Sequence, residues 1–415
     1  MRRTLPTAGD VAALDEADPL RPMRDRFVLP AGIIYLDGNS LGPAPKSVFA
    51  ELDQAARHEW AEGLIRSWND AGWFTLTDTM GDRVGRLIGA APGETVVTDT
   101  TSINIHKALH AALALRPGRG VILAEAASFP TDLYMAEGVA ASRSGASLRL
   151  ATDSDGLASL IDDSTAVVLV NHVDYRTGVL RDMAELTARA HATGAIVVWD
   201  LCHSVGALPI DLNAANVDLA VGCTYKYLNG GPGAPAFIFA ARRHHDHLVQ
   251  PLSGWWTHAQ PFAMESSYRP ASGIRRLLCG TQPILSLRAL KAALDVFDDV
   301  DLAQIRVKSL ALSGLFMELV EPICRDFGAR IITPRTEAAR GSHVSIEHEH
   351  GYEVMQALIA RGIIGDFRAP DIMRFGFTPL YLRYCDVFDA ATALHDILRT
   401  KAWNDPRFAT RSAVT

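Results

Sequence analysis

VWDLCHSVGALPIDLNAANVDLAVGCTYKYLNGGPG, residues 198–233, contains two apolar runs, each ending near a group able to do chemistry. The first, 195–199, ends in an acid, Asp200, with His203 a few residues on. The second, 217–221, leads into Thr224-Tyr225-Lys226-Tyr227 and a glycine-rich turn. Runs this short and this continuously apolar read as strands covered on both faces, the pattern of a parallel sheet. Ligands of such sheets lie beyond the carboxyl ends of the strands. Asp200 falls at one such end, and Lys226, 26 residues on (226 − 200), follows another. A lysine able to form a Schiff base and a carboxylate able to pair with a protonated pyridine nitrogen are what a pyridoxal phosphate enzyme needs.

Outward from this stretch, strands and helical patterns alternate. Further strands are expected at 95–98, 120–124, 147–150, 166–171 and 236–240, with helices at 101–115, 130–142, 156–162 and 180–193. The alternation predicts an open α/β sheet, seven-stranded and mostly parallel. Towards the N-terminus, a helix with a weak apolar face (Val11, Ala12, Leu14, Ala17) precedes a short strand, 33–36. That strand opens into the turn-rich Asp37-Gly38-Asn39-Ser40-Leu41-Gly42-Pro43. Helical periodicity covers 45–64 and 76–89. Beyond about 285 the pattern changes to long helices over 284–319, strands at 329–333, 343–348 and 372–377, and a helix at 351–361. The expected division is an N-terminal segment (1–44) packing with the small domain, a large cofactor-binding domain (45–290) and a small α+β C-terminal domain (291–415).

The 415 residues are 48% hydrophobic and 21% charged, ordinary for globular domains with substantial cores. A net charge of −7 argues against nucleic acid or an anionic membrane as main partner, since both select basic patches. The five cysteines (Cys202, Cys223, Cys279, Cys324, Cys385) are odd in number and scattered, which speaks against a disulfide framework and for a reducing compartment. The first residues lack the apolar core of a secretory signal, and no run approaches the length of a membrane span. A cytoplasmic location is expected.

Several side chains join the lysine and the acid as candidates. Thr101 and Ser102 open a helix just after a strand, where free N–H groups and the helix dipole favour an anion; ordinary capping is the plain alternative. Phe129, in Ser128-Phe129-Pro130-Thr131-Asp132, is placed to stack on a flat ring, or simply to precede a proline-initiated helix with Asp132 in its acidic first turn. Asn171 ends another strand, as a donor to a cofactor oxygen or a polar loop entry. An acid at the end of an apolar run, such as Asp200, is costly without a cationic partner. Arg374, in an apolar strand, reads as a two-pronged clamp for a substrate carboxylate or as a structural ion pair. Trp255 and Thr281 each follow a glycine and offer phosphate donors. His244, His245 and His247, and His343, His348 and His350, lack the spacing of a convincing metal set, so no metal is expected.

With these residues together, the chain resembles the kynureninase family of pyridoxal phosphate enzymes, of the aspartate-aminotransferase fold type (fold type I). The resemblance spans nearly the whole chain. It is carried by Gly38-Asn39-Ser40-Leu41-Gly42, Phe129-Pro130-Thr131-Asp132, Asp200-Leu201-Cys202-His203, Thr224-Tyr225-Lys226-Tyr227 with the following glycines, Gly280-Thr281-Gln282-Pro283, and Arg374 with Pro379-Leu380-Tyr381. It implies Lys226 as the Schiff-base lysine, Asp200 as partner of the pyridine nitrogen and Phe129 as the stacking ring. It implies Thr101, Ser102 and Tyr225 at the phosphate, with Trp255 and Thr281 reaching it from the second subunit of a homodimer. Asp132, Asn171 and His203 contact the ring or its substituents. Arg374 clamps the substrate carboxylate, and Asn39 and Ser40 lie in a loop that closes over it. The implied reaction is hydrolysis of L-kynurenine, or its 3-hydroxy form, to anthranilate or 3-hydroxyanthranilate and L-alanine, in tryptophan catabolism by the kynurenine pathway and NAD biosynthesis. Lys226 is the base, and Tyr225 a proton donor.

Two other readings compete. A cysteine desulfurase or class V aminotransferase shares the fold type, but a desulfurase needs a cysteine on a mobile loop. A catalytically silent pyridoxal phosphate-binding protein has no need of Lys226, Asp200 and Arg374 together.

Overall fold

The computed structural model describes residues 5–411. Its strands are β1 (Ile34–Tyr35), β2 (Thr95–Val97), β3 (Val121–Glu125), β4 (Ser147–Ala151), β5 (Thr165–Asn171), β6 (Ile196–Asp200), β7 (Leu219–Gly222), β8 (Phe237–Ala240), β9 (Arg330–Ile331), β10 (His343–Glu347), β11 (Ile363–Ile364), β12 (Asp366–Arg368) and β13 (Ile372–Gly376). The helices are α1 (Ala8–Glu16), α2 (Ser47–Gln54), α3 (Ser67–Asp70), α4 (Leu76–Leu87), α5 (Thr101–Leu115), α6 (Pro130–Ser142), α7 (Ser154–Leu160), α8 (Met183–Ala192), α9 (Ile284–Leu294), α10 (Leu302–Phe327), α11 (Gly351–Ile359) and α12 (Tyr384–Thr400).

Seven strands form one sheet in the order β2-β8-β7-β6-β5-β3-β4. All its neighbours run parallel except β8, which is antiparallel to both β7 and β2. This is the open, mostly parallel α/β sheet expected from the alternating pattern, and it agrees with the fold type I architecture that the resemblance implies. β5 and β6 are buried along their whole length because both faces are covered. Alternate side chains divide between two cores: Val197 and Trp199 pack on the side of Met80 and Val84 from α4, while Ile196 and Val198 pack on the side of Ile105 and Leu109 from α5. Each such side chain contributes on the order of 1.5–3 kcal/mol by leaving water.

The C-terminal part holds a four-stranded antiparallel sheet, β12-β13-β10-β9. α10 covers it through Phe316, whose ring lies 4.9 Å from that of Phe375 and 5.2 Å from that of Phe377. The N-terminal segment ties into the same region twice. β1 pairs in parallel with β11. The Asp15 carboxylate of α1 accepts from the N–H groups of Tyr384 (2.6 Å) and Cys385 (3.0 Å), at the end of α12 where unpaired N–H groups and the dipole favour an anion.

Several elements differ from the sequence reading. The pattern over 45–64 is α-helical only to Gln54; Ala55–Glu62 widens into a π-helix. The pattern over 284–319 is two helices, because the acid-rich link 295–301 ends α9 and Asp301 caps α10, its Oδ1 accepting from Ala303 N at 2.8 Å. α12 was not anticipated, although Val387, Ala390, Ala391, Leu394, Ile397 and Leu398 form a helical apolar face. No helix among the described residues is long and apolar enough to cross a membrane.

Candidate active site

The register of β5 and β6 makes Asn171 and Asp200 direct neighbours at the carboxyl edge of the sheet. There the Asn171 amide donates to Asp200 Oδ2 (2.7 Å) and to Asp132 Oδ2 (2.8 Å). The other oxygen of Asp200 accepts from Cys202 N at 2.8 Å. Asp132 sits in the first turn of α6. Burial, and then the charge of Asp200, push its carboxyl well above the usual range.

Lys226 lies in the turn after β7. Its Nζ is 3.0 Å from His203 Nε2 and 5.9 Å from the Phe129 ring centroid. Burial first, then Lys226 itself, depress His203 far below its ordinary value, so a neutral imidazole meets the amine. Phe129 stands at the cap of α6, edge-on to Tyr175 at 5.2 Å. Thr101 and Ser102 form the first turn of α5, whose cap Thr100 accepts from Ile103 N. Burial raises the Tyr225 phenol, which therefore keeps its proton at neutral pH. The Tyr225 carbonyl accepts from Gly42 N at 2.8 Å, which seats the 37–42 loop against the lysine turn.

One cavity of about 160 Å³ gathers Lys226, Tyr225, Asp200, Thr101, Ser102, Phe129, Asp132, Asn171 and His203. Thr131, Tyr175 and Cys202 complete its wall; the sequence reading had given them no role, because each sits beside a louder neighbour in its own motif. A primary amine, a carboxylate at a sheet end, an aromatic ring and a helix N-terminus with two hydroxyls form a donor set that fits pyridoxal phosphate.

The other expected residues lie elsewhere. Trp255 Nε1 donates to Pro261 O at 2.7 Å, and its ring packs on Trp256 at 4.8 Å. Trp255 and Thr281 are exposed and are not on the cavity wall of the single chain. Arg374 is buried and forms an ion pair with Asp366 through Nε (2.7 Å) and Nη2, the structural alternative weighed for it above. Ser40 joins that pair, donating to Asp366 Oδ2 at 2.6 Å. Asn39 is fully buried beside Gly376, and its amide has no hydrogen-bond partner among the described residues. Asp366 and Asp37 are the charged groups that the sequence did not single out. Asp37 looked like a turn acid, and Asp366 belongs to a three-residue strand too short to show a period. Of the histidines read as a possible metal set, His343 is buried with neither ring nitrogen partnered among the described residues, and His350 stacks on Trp403 at 4.1 Å. Among the described residues no group of three His, Cys, Asp or Glu side chains is placed to hold a metal ion.

Comparison with known proteins places this geometry. Residues 305–394 match the model of the kynureninase C-terminal domain. The chain is similar to a kynureninase from Burkholderia pseudomallei, strain 1106a, at 54% identity over 99% of this chain and 100% of the relative. It is similar to one from Pseudomonas fluorescens at 53% identity with the same coverage. Among solved structures it resembles the cysteine desulfurase of Thermococcus onnurineus NA1 (TM-score 0.77, 19% identity, 91% of this chain and 98% of that one). It also resembles a C-DES variant with glycine covalently linked to its PLP cofactor (TM-score 0.79, 17% identity, 90% and 99%). The structural likenesses speak for the fold alone. The sequence likeness, more than half of all positions over essentially the full length, establishes that this chain belongs to the kynureninase family.

Proposed function

We propose that this protein hydrolyses L-kynurenine to anthranilate and L-alanine, and accepts 3-hydroxy-L-kynurenine to give 3-hydroxyanthranilate. That places it in tryptophan catabolism by the kynurenine pathway, on the route that feeds NAD biosynthesis. The observation that carries this reading is the gathering of Lys226, Asp200, Tyr225 and Phe129 around one cavity in a chain 54% identical to kynureninases.

Pyridoxal phosphate, when bound, supplies a protonated ring that takes up electrons from the substrate's α-carbon. Asp200 stabilises that ring proton, and Asn171 holds Asp200 in place. Thr101 and Ser102 bind the phosphate with Tyr225, and Phe129 covers the ring. Lys226 takes the α-proton, with neutral His203 beside it to accept a hydrogen bond from the amine. Tyr225 keeps its phenolic proton at working pH and is the donor for the carbon that leaves when water adds to the substrate's carbonyl. Asp132, its carboxyl raised by burial and by Asp200, shares the Asn171 amide with Asp200.

The active unit is a homodimer in which Trp255 and Thr281 of the second copy complete the phosphate end. Their exposure in the single chain supports this. The five free thiols support a reducing, cytoplasmic setting. Lys226→Ala is expected to abolish anthranilate formation and to remove the cofactor's lysine-bound absorbance band while leaving the dimer intact on size-exclusion chromatography. A turnover rate near that of the parent would contradict the role of Lys226, and a monomeric parent would contradict the shared site.

A further inference from the structure

The turn that leads into the phosphate end of the cavity carries an acid of its own. After β2, Thr98 and Asp99 precede Thr100, the cap of α5, and then Thr101 and Ser102. An acid beside a helix N-terminus is drawn to the same free N–H groups and the same positive end that a phosphate needs. Asp99 is turned elsewhere. Its backbone is left-handed (φ 51°), and its Oδ2 accepts from Lys107 Nζ at 2.5 Å and from the Thr98 hydroxyl at 2.6 Å. The cap bond of α5 is left to Thr100, which accepts from Ile103 N at 3.3 Å. Thr101 and Ser102 line the cavity, and neither Asp99 nor Lys107 does.

Lys107 reaches the acid from inside the fold. It stands in the second turn of α5 with its side chain wholly buried, against 27% exposure for that of Asp99. Its ammonium also donates to Leu277 O at 2.7 Å. A buried ammonium needs a partner for its charge, and Asp99 is that partner. The backbone of the turn has other supports. The Asn104 amide donates to Thr98 O at 2.9 Å, and Ala236 N, just before β8, donates to Asp99 O at 2.9 Å. These bonds hold the turn whether or not residue 107 is charged. What Lys107 adds to them is a positive charge set against the one acid of the turn.

We propose that Lys107 is a positioning residue of the phosphate end: it neutralises Asp99 and holds it away from the first turn of α5, so that Thr101 and Ser102 receive the phosphate and not an acid of their own chain. This rests on the reading of the cavity as a pyridoxal phosphate site. The test starts from the holoenzyme, dialysed until the cofactor's lysine-bound absorbance band is lost. It is then titrated with pyridoxal phosphate, or with pyridoxal, which lacks the phosphate. Lys107→Met is expected to weaken pyridoxal phosphate binding about tenfold or more, the effect of one unit charge acting across several ångströms in a partly wet site. Pyridoxal binding should change by less than about threefold, since the freed acid meets no phosphate. Adding Asp99→Asn to Lys107→Met removes that acid and is expected to recover most of the lost affinity. Lys107→Gln, which keeps a donor for Leu277 O, carries the same comparison if Lys107→Met does not fold. Equal weakening of the two ligands would show a merely structural lysine and overturn the proposal. So would unchanged binding of both, or a double variant no better than Lys107→Met alone. A parent that binds neither ligand would overturn the cofactor reading, and this proposal with it. Failure to turn over kynurenine would overturn the reaction alone and leave the ratio of the two affinities measurable.

Discussion

Asp37 shows how much one buried side chain can set. Burial, and then the neighbouring Asp366 charge, raise its carboxyl to about 7, and its Oδ1 has no hydrogen-bond partner among the described residues. An unfolded aspartate loses its proton near pH 4, so between there and about 7 the folded chain binds a proton that the unfolded chain has released. The stability this group contributes is therefore whole at low pH and is lost as pH rises through 7. Asp37→Asn is expected to unfold at a higher temperature than the parent at pH 8 and at nearly the same temperature at pH 4.5. A gap that does not widen with pH would contradict this. The same residue marks a limit of reading from sequence. Lys226 and Asp200 were legible because strand ends and a glycine turn frame them. Asp37 and Asp366 were not, because their meaning comes from facing each other across elements more than 300 residues apart in the chain (366 − 37 = 329).

At the scale of elements, the apolar runs of β5, β6 and β7 were legible because both sheet faces are covered, and the hydrophobic pattern then needs no partner to be recognised. The short strands β11 and β12 were not, since two or three residues carry no period. The 37–42 loop was legible as a turn, but its docking on the lysine turn was not. That docking is tight at Gly42, where a Cβ would collide with Lys226 O and Asn229. Gly42→Ala should lift the loop from the lysine turn and cost about 1–3 kcal/mol, the range for overpacking, with a raised KM for substrate. Thermal unfolding and steady-state kinetics read both effects, and unchanged values would show that the loop does not bear on the site.

Besides His203, the whole molecule keeps two further imidazoles, His172 and His343, neutral in its interior. Burial first, then Arg181 for His172 and Arg374 for His343, lower both to about 3. The unfolded chain takes up these protons below about pH 6.5 and the folded chain does not, so the stability they contribute is lost as pH falls from 6.5 towards 3. His343→Leu also removes two unpartnered buried nitrogens. It is expected to lose less stability than the parent between pH 7 and 4.5, and equal losses would contradict the assignment. All of this scaffolding serves one claim, that the cavity around Lys226 cleaves kynurenine by adding water. The direct measurement is incubation of the purified, pyridoxal phosphate-loaded protein with L-kynurenine, following anthranilate by its fluorescence and assaying alanine in the same sample. The account predicts anthranilate and L-alanine in equal amounts, formed by the parent and not by Lys226→Ala. Absence of anthranilate from a protein that holds its cofactor, or release of persulfide from cysteine in its place, would contradict it.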